Sequence, residues 1–78
     1  MRRVYVCRTE KKDRIYIVED CQQPLFVEEY FITVLYGRHN LWLRKKHIHC
    51  DSLSDKEKKI DEIDRTRKNH GYRLEEMS

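Results

Sequence analysis

The amino-acid sequence predicts a small α+β domain ordered β-β-α-β-α, with three strands in a mainly antiparallel sheet, one packed helix and a polar C-terminal helix. Three observations predict it. Two short apolar runs near the N-terminus alternate with period 2, an i, i+3, i+4 apolar series follows the single proline, and acid-first charge pairs four residues apart fill the C-terminal third.

Residues 2–9 set Val4 and Val6 against Tyr5 and Cys7, the pattern of a strand. Glu10-Lys11-Lys12-Asp13 is a connection of hairpin length, and residues 14–20 repeat the alternation with Ile15 and Ile17 opposing Tyr16 and Val18. Aromatic and β-branched residues on both sides imply that each face of this hairpin is partly covered. Pro24 suits the first turn of a helix, where a missing N–H does no harm. Val27, Tyr30, Phe31, Val34 and Leu35 then fall on one helical face, so a helix is expected over 24–36. Glu28 and Glu29 lie where the helix dipole favours negative charge, and Gly37 reads as the stop. β-branching makes a strand the competing reading of this segment. The adjacent glutamates break period-2 alternation and decide for the helix.

Leu41-Trp42-Leu43 opens a third extended segment running to Cys50. Ser54-Asp55-Lys56-Glu57 has the form of a capping box, which predicts a helix over 55–69 supported by Asp55/Lys59, Asp61/Arg65 and Asp64/Lys68. Gly71 ends it. Ile60 and Ile63 are the only aliphatic residues along it, so it must lean on the body along a narrow seam or pair with a partner. The domain is placed at 1–70, and residues 71–78 are expected to be a frayed tail.

The chain has 78 residues, with charged residues at 40% and apolar ones at 38%. That charge is high, but the apolar residues cluster in a few stretches, which favours a folded body. A domain this short has little material for the walls of a deep catalytic pocket, so no enzymatic activity and no cofactor are expected. No apolar leader follows Met1, and no run has the length and apolarity of a membrane span. The expectation is a cytoplasmic protein with no membrane contact and with Cys7, Cys21 and Cys50 as free thiols, a Cys7–Cys21 disulfide being the lesser alternative. A homodimer is a further way for so small a core to gain stability.

Charge is segregated along the chain. Residues 1–14 carry a net +4, residues 15–37 a net −4, residues 38–50 a net +4 and residues 51–78 a net −1. Arg38, Arg44, Lys45 and Lys46 form a dense basic strip beside Trp42, and Arg2 and Arg3 are secondary candidates that join it if the strands pair. Such a strip can contact the phosphates of DNA or RNA, and Trp42 can stack on a base. The flanking leucines favour a core position for Trp42, and lysine and arginine on edge strands also serve solubility. The alternative partner is a protein: the acidic block and the polar helix suit an inhibitor or adaptor that docks on a larger enzyme or complex by charge complementarity, as many small virus-encoded proteins do.

His47-Ile48-His49-Cys50 is the one cluster with metal-ligand chemistry. On a strand His47 and His49 point the same way, and Asp51, Cys21, Cys7, His39 or His70 would have to complete a tetrahedral set. No Cys-x-x-Cys knuckle accompanies them, and the reading adopted is solvated histidines extending the basic strip, with no metal. Cys50 with His70 lacks any third group of a nucleophilic triad, and Gly37 and Gly71 are too isolated to form a phosphate-cradling loop.

Arg14-Ile15-Tyr16-Ile17-Val18-Glu19-Asp20, Gln23-Pro24-Leu25 and Val27-Glu28-Glu29-Tyr30-Phe31 through Gly37-Arg38 resemble the start of transposon- and phage-type tyrosine recombinases, where a short hairpin precedes the first helix of the core-binding domain. The resemblance covers about residues 14–38, contains no catalytic motif and implies a phage or mobile-element origin with contact to DNA.

Overall fold

The computed structural model describes residues 1–22, 29–39 and 41–78. Among the described residues five strands and one helix follow one another: β1 (Arg2–Arg8), β2 (Asp13–Glu19), β3 (Tyr30–Arg38), β4 (Arg44–Cys50), α1 (Leu53–Asn69) and β5 (Arg73–Met77). The strands form one sheet in the order β4-β3-β2-β1-β5, and every neighbouring pair is antiparallel. The class is α+β as expected, but among the described residues a five-stranded sheet with a single helix replaces the predicted three strands and two helices.

The largest correction falls on 24–36. Residues 24–28 lie outside the described residues, and Tyr30–Arg38 is a strand. Ile32, Thr33 and Val34 are β-branched and Tyr30, Phe31 and Tyr36 aromatic, side chains that lose χ1 freedom in a helix and fit a pleated surface. Ile32 and Val34 are buried while Phe31 and Thr33 turn to the other side. The helical spacing and the alternation coexist in these residues, and the sheet wins because it covers both sides of the segment. Glu28 and Glu29, which argued against alternation, precede the strand. Gly37 is a strand residue, not a helix stop; a Cβ there would lie 3.4 Å from Leu43 Cδ2 and from the Trp42 carbonyl oxygen.

The first hairpin closes without an Asn-Gly pair. Thr9 and Lys12 exchange backbone hydrogen bonds, and Thr9 Oγ1 accepts from the N–H groups of Lys11 and Lys12 at 3.3 and 3.0 Å. The third extended segment begins at Arg44, so Leu41, Trp42 and Leu43 belong to the β3–β4 connection. The helix starts two residues earlier than expected. Ser52 is its N-cap and accepts from the Asp55 N–H at 3.0 Å, while the Asp55 carboxylate accepts from the Asp51 N–H at 2.9 Å. The reciprocal logic is that of the capping box, carried by different residues. Residues 73–77, expected to fray, pair with β1 from Arg3↔Met77 to Val6↔Arg73, with a register shift between Val4 and Tyr5.

Helix α1 covers one face of the sheet, over Tyr5, Val18, Ile32, Val34 and Cys50, with Ile60 and Ile63 packed against them. Two isoleucines are little apolar surface for 17 residues, and polar anchors supply the rest. Lys56, 2% exposed, donates to Asp20 Oδ1 at 3.1 Å and Gln22 Oε1 at 2.7 Å and lies 5.5 Å from the Tyr30 ring centroid. The Tyr5 hydroxyl donates to Asp64 Oδ1 at 2.6 Å. The helix therefore starts beside the Cys50 end of β4 and finishes above Cys7 of β1, where Gly71, at φ 84°, passes within 4.0 Å of the Cys7 sulfur, measured from an added Cβ. It crosses the sheet obliquely, leaving the corner formed by β3 and β4 at their connection uncovered. On the other face Val4, Val6 and Ile17 form a smaller cluster with Ile15, Leu35 and Leu43.

Candidate nucleic-acid interface

Strand alternation assembles a basic, aromatic surface at the uncovered corner. Arg14 and Tyr16 of β2, Val34, Tyr36 and Arg38 of β3, and Arg44, Lys46 and Ile48 of β4 all share the face on which α1 lies. Register sets Arg14 opposite Arg38, Tyr16 opposite Tyr36, Tyr36 opposite Arg44 and Val34 opposite Lys46. The last turns of α1 add Arg67, whose guanidinium lies 4.5 Å from the Tyr16 ring centroid and 5.0 Å from that of Tyr72. Tyr16 and Tyr36 stack with centroids 6.1 Å apart. Burial pushes the Tyr16 hydroxyl up in pKa, and the neighbouring Arg67 charge opposes that rise.

Two adjoining cavities result. One of about 290 Å³ is lined by Arg14, Tyr16, Tyr36, Lys46, Arg67 and Tyr72 among others. The second, of about 540 Å³, is lined by Cys7, Lys12, Arg14, Arg67, His70 and Tyr72. They share Arg14, Arg67 and Tyr72 and make one cleft, with Arg38 and Arg44 continuing the same face at its rim. Among the described residues, no carboxylate lies within 4.0 Å of Lys12, Arg14, Arg38, Arg44, Lys46 or Arg67. Like charges directly opposite across strands are unfavourable, so the Arg14–Arg38 pair is a cost the sheet bears and an anion would relieve.

Of the residues singled out from sequence, Lys46 lines this cleft and Arg38 and Arg44 share its sheet face. Lys45 pairs with Leu35 and faces the opposite side. Arg2 and Arg3 stand at the far end of β1, two strands away from β3, and each already meets an acid: Arg2 contacts Glu19 at 3.4 Å and Glu76 at 3.5 Å, and Arg3 contacts Asp64 at 4.0 Å. The two basic segments meet through Lys12 and Arg14 and not through Arg2 and Arg3. Trp42 is not a core residue. It is 97% exposed, beside Leu41 at 60%, in a connection held by the Leu41 N–H to the Arg38 carbonyl and by the His39 N–H to the Asp13 carbonyl.

Lys12, at the tip of the first hairpin, and an exposed tyrosine are candidates the sequence itself offers for this surface; Arg14, Arg67 and His70 are not assigned to it from sequence. One signal was available: the acid-first pairs along α1 use Lys59, Arg65 and Lys68 and skip Arg67. In the structure Asp55–Lys59 and Asp64–Lys68 close at 2.6 and 3.0 Å.

The metal candidates separate. His47 and His49 lie on the face opposite α1, whereas Cys50 is buried under the helix. His47 Nδ1 sits 3.0 Å from Thr33 Oγ1, with its ring edge-on to Phe31, and His49 is 3.5 Å from Asp51. Among the described residues no three His, Cys, Asp or Glu side chains converge as a metal site. Cys7 and Cys50 are buried free thiols and Cys21 an exposed one, so the Cys7–Cys21 disulfide is absent. Burial pushes the Cys50 thiol up in pKa. Among the described residues no helix is long and apolar enough to cross a membrane.

Comparisons with protein-family models, with curated proteins and with solved structures return no match.

Proposed function

We propose that this chain is a non-catalytic nucleic-acid-binding module that seats a phosphodiester backbone in the cleft between α1 and the β2–β3–β4 corner. Arg14, Arg38, Arg44, Lys46 and Arg67 contact phosphates, and Lys12 and His70 extend the track. One observation carries the reading: Arg14, Lys46 and Arg67 line one cleft with three tyrosines, Arg38 and Arg44 continue the same sheet face, and none of the five has an acid within ion-pair distance among the described residues. Cations kept only for solubility or fold would gain by sitting beside the many available carboxylates. Guanidinium groups alternating with aromatic faces suit a chain of phosphates and bases. The alternative of docking by an acidic surface has less support, because Glu19 and Asp20 of the acidic block are engaged with Arg2 and Lys56.

The test is a salt-dependent titration with labelled single-stranded and duplex DNA and RNA. Five phosphate contacts predict a slope of log K against log salt of about −4. No binding at low salt would overturn the reading.

A further inference from the structure

We infer that the cleft holds a strand by its phosphorylated end, with the terminal phosphate monoester in the compartment near the hairpin tip and the terminal nucleoside against the tyrosines. The inference rests on the nucleic-acid reading above and adds which part of the polymer is bound. Its first ground is the unequal chemistry of the two compartments. The larger, of about 540 Å³, gathers Lys12, Arg14, Arg67 and His70 around Cys7 and Tyr72. The smaller, of about 290 Å³, sets Tyr16, Tyr36 and Tyr72 beside Val34 and Ile48, with Lys46 at its β4 side. A phosphodiester carries one negative charge, whereas a phosphate monoester carries about −1.5 to −2 near pH 7. Two arginines and a lysine in one compartment match the second better than the first. Among the described residues, neither they nor His70 have a carboxylate within 4.0 Å.

The second ground is direction. From the tyrosines, unmatched cations continue across the sheet as Arg38 of β3 and Lys46 and Arg44 of β4. On the β1 side the same face presents Tyr5, Leu74 and Met77, and its arginine, Arg3, meets Asp64 at 4.0 Å. Lys68 of α1 closes on the same Asp64 at 3.0 Å. The run of unmatched cations across the sheet is therefore open at one end only, and its most positive compartment stands at the closed end. A chain terminus suits that place, whereas a backbone passing through would need cations on both sides. Arg67 is already oriented there, with its guanidinium 4.5 Å from the Tyr16 ring centroid and 5.0 Å from that of Tyr72. A guanidinium steadied on aromatic faces keeps its planar N–H fork for two phosphate oxygens. The last carbonyls of α1, which would repel an anion, are taken up: the His70, Gly71 and Tyr72 N–H groups donate to the carbonyls of Thr66, Arg67 and Lys68.

The test is an anisotropy titration with an internally labelled single strand of about twelve nucleotides, prepared with a 5′-phosphate, with a 3′-phosphate, and with hydroxyls at both ends. One phosphorylated form is expected to bind at least about tenfold more tightly than the hydroxyl form. Lys12→Gln and His70→Gln are each expected to cut that ratio to under about threefold. Both side chains are exposed, and circular dichroism confirms that the variants fold. Whichever phosphorylated form is preferred gives the polarity of the bound strand. Equal affinity for all three forms, or a preference that survives both substitutions, overturns the inference and leaves the phosphate-binding reading standing. No anisotropy change with any of the three overturns both.

Discussion

The cations near β1 and the start of α1 and those at the β3–β4 corner have opposite surroundings. Near β1, Arg2 meets Glu19 and Glu76, Arg3 meets Asp64, Arg8 lies 3.8 Å from Glu75, and Lys56 is buried against Asp20. At the corner, Arg14 faces Arg38, and no carboxylate balances either among the described residues. The same residue types therefore stand in two settings in one small chain. Cations matched to acids tie the helix and outer strands to the sheet; cations left unmatched carry a repulsion that the proposed polyanion would relieve. Density of positive charge in the sequence does not distinguish them, whereas the presence of an opposite charge in space does.

That contrast can be broken most forcefully at Lys56. Lys56→Met leaves Asp20 without its cation in a largely buried setting and is expected to cost about 2–4 kcal/mol in urea unfolding. Oligonucleotide affinity of the folded fraction should be unchanged, since Lys56 is no part of the cleft. A variant as stable as the parent would show that the buried pair is not what holds the helix down.

Tyr5→Phe tests the second anchor. Its hydroxyl holds the Asp64 carboxyl below the usual carboxylate range, with Lys68 and Arg3 adding to the effect and burial opposing it. A carboxyl with a lowered folded pKa contributes stability above the unfolded value near 4, and that contribution is lost as pH falls through the folded value. The variant is expected to lose about 1–2 kcal/mol at neutral pH. It should also show a shallower loss of stability than the parent below about pH 4. Parallel acid-unfolding curves would remove the hydrogen bond from the account.

Arg14→Glu sharpens the comparison from the other side, because it places an acid opposite Arg38. Stability is expected to rise by about 0.2–1 kcal/mol, and nucleic-acid affinity to fall at least about tenfold with a shallower salt slope. Opposite signs for folding and binding are the signature of an unmatched cation kept for a ligand; a fall in both would make Arg14 a structural residue. The smallest expected effect separates two neighbours. Lys46→Glu should weaken binding several-fold at constant salt while Lys45→Glu, on the other face, changes it by less than about twofold. Equal losses would mean that the edge strand is bound from both sides.

The parts of the fold legible in sequence were those with a local signature. The first hairpin reads directly from alternation, and the C-terminal helix from its charge spacing, because both signals arise within a few residues of each other. Tyr30–Arg38 was misread because its apolar residues satisfy two periods at once. What decides between them is the pairing with β2 on one side and β4 on the other, a non-local fact. β5 was missed for the same reason: Leu74 and Met77 are too few to mark a strand, and its partner lies at the other end of the sequence. The basic strip named half of the cleft, since Arg38, Arg44 and Lys46 are close in sequence. Arg14, Arg67 and the tyrosines come from β2, β3, α1 and the connection after α1, and only the sheet register and the oblique helix bring them together. Trp42 was misplaced because flanking leucines suggest burial, although Leu43 alone turns inward while Leu41 stays exposed.

The pairing of β1 with β5 also dictates an order of events. Arg3 and Met77 are the most widely separated partners in the sheet, so the β1–β5 pairing closes its longest loop and contributes nothing until that loop's entropy has been overcome. During synthesis β1 is made first and waits with one edge bare until the helix and the last strand have emerged. The interval in which β1 can pair with the wrong edge, including that of another copy, is set by the time needed to make and fold α1.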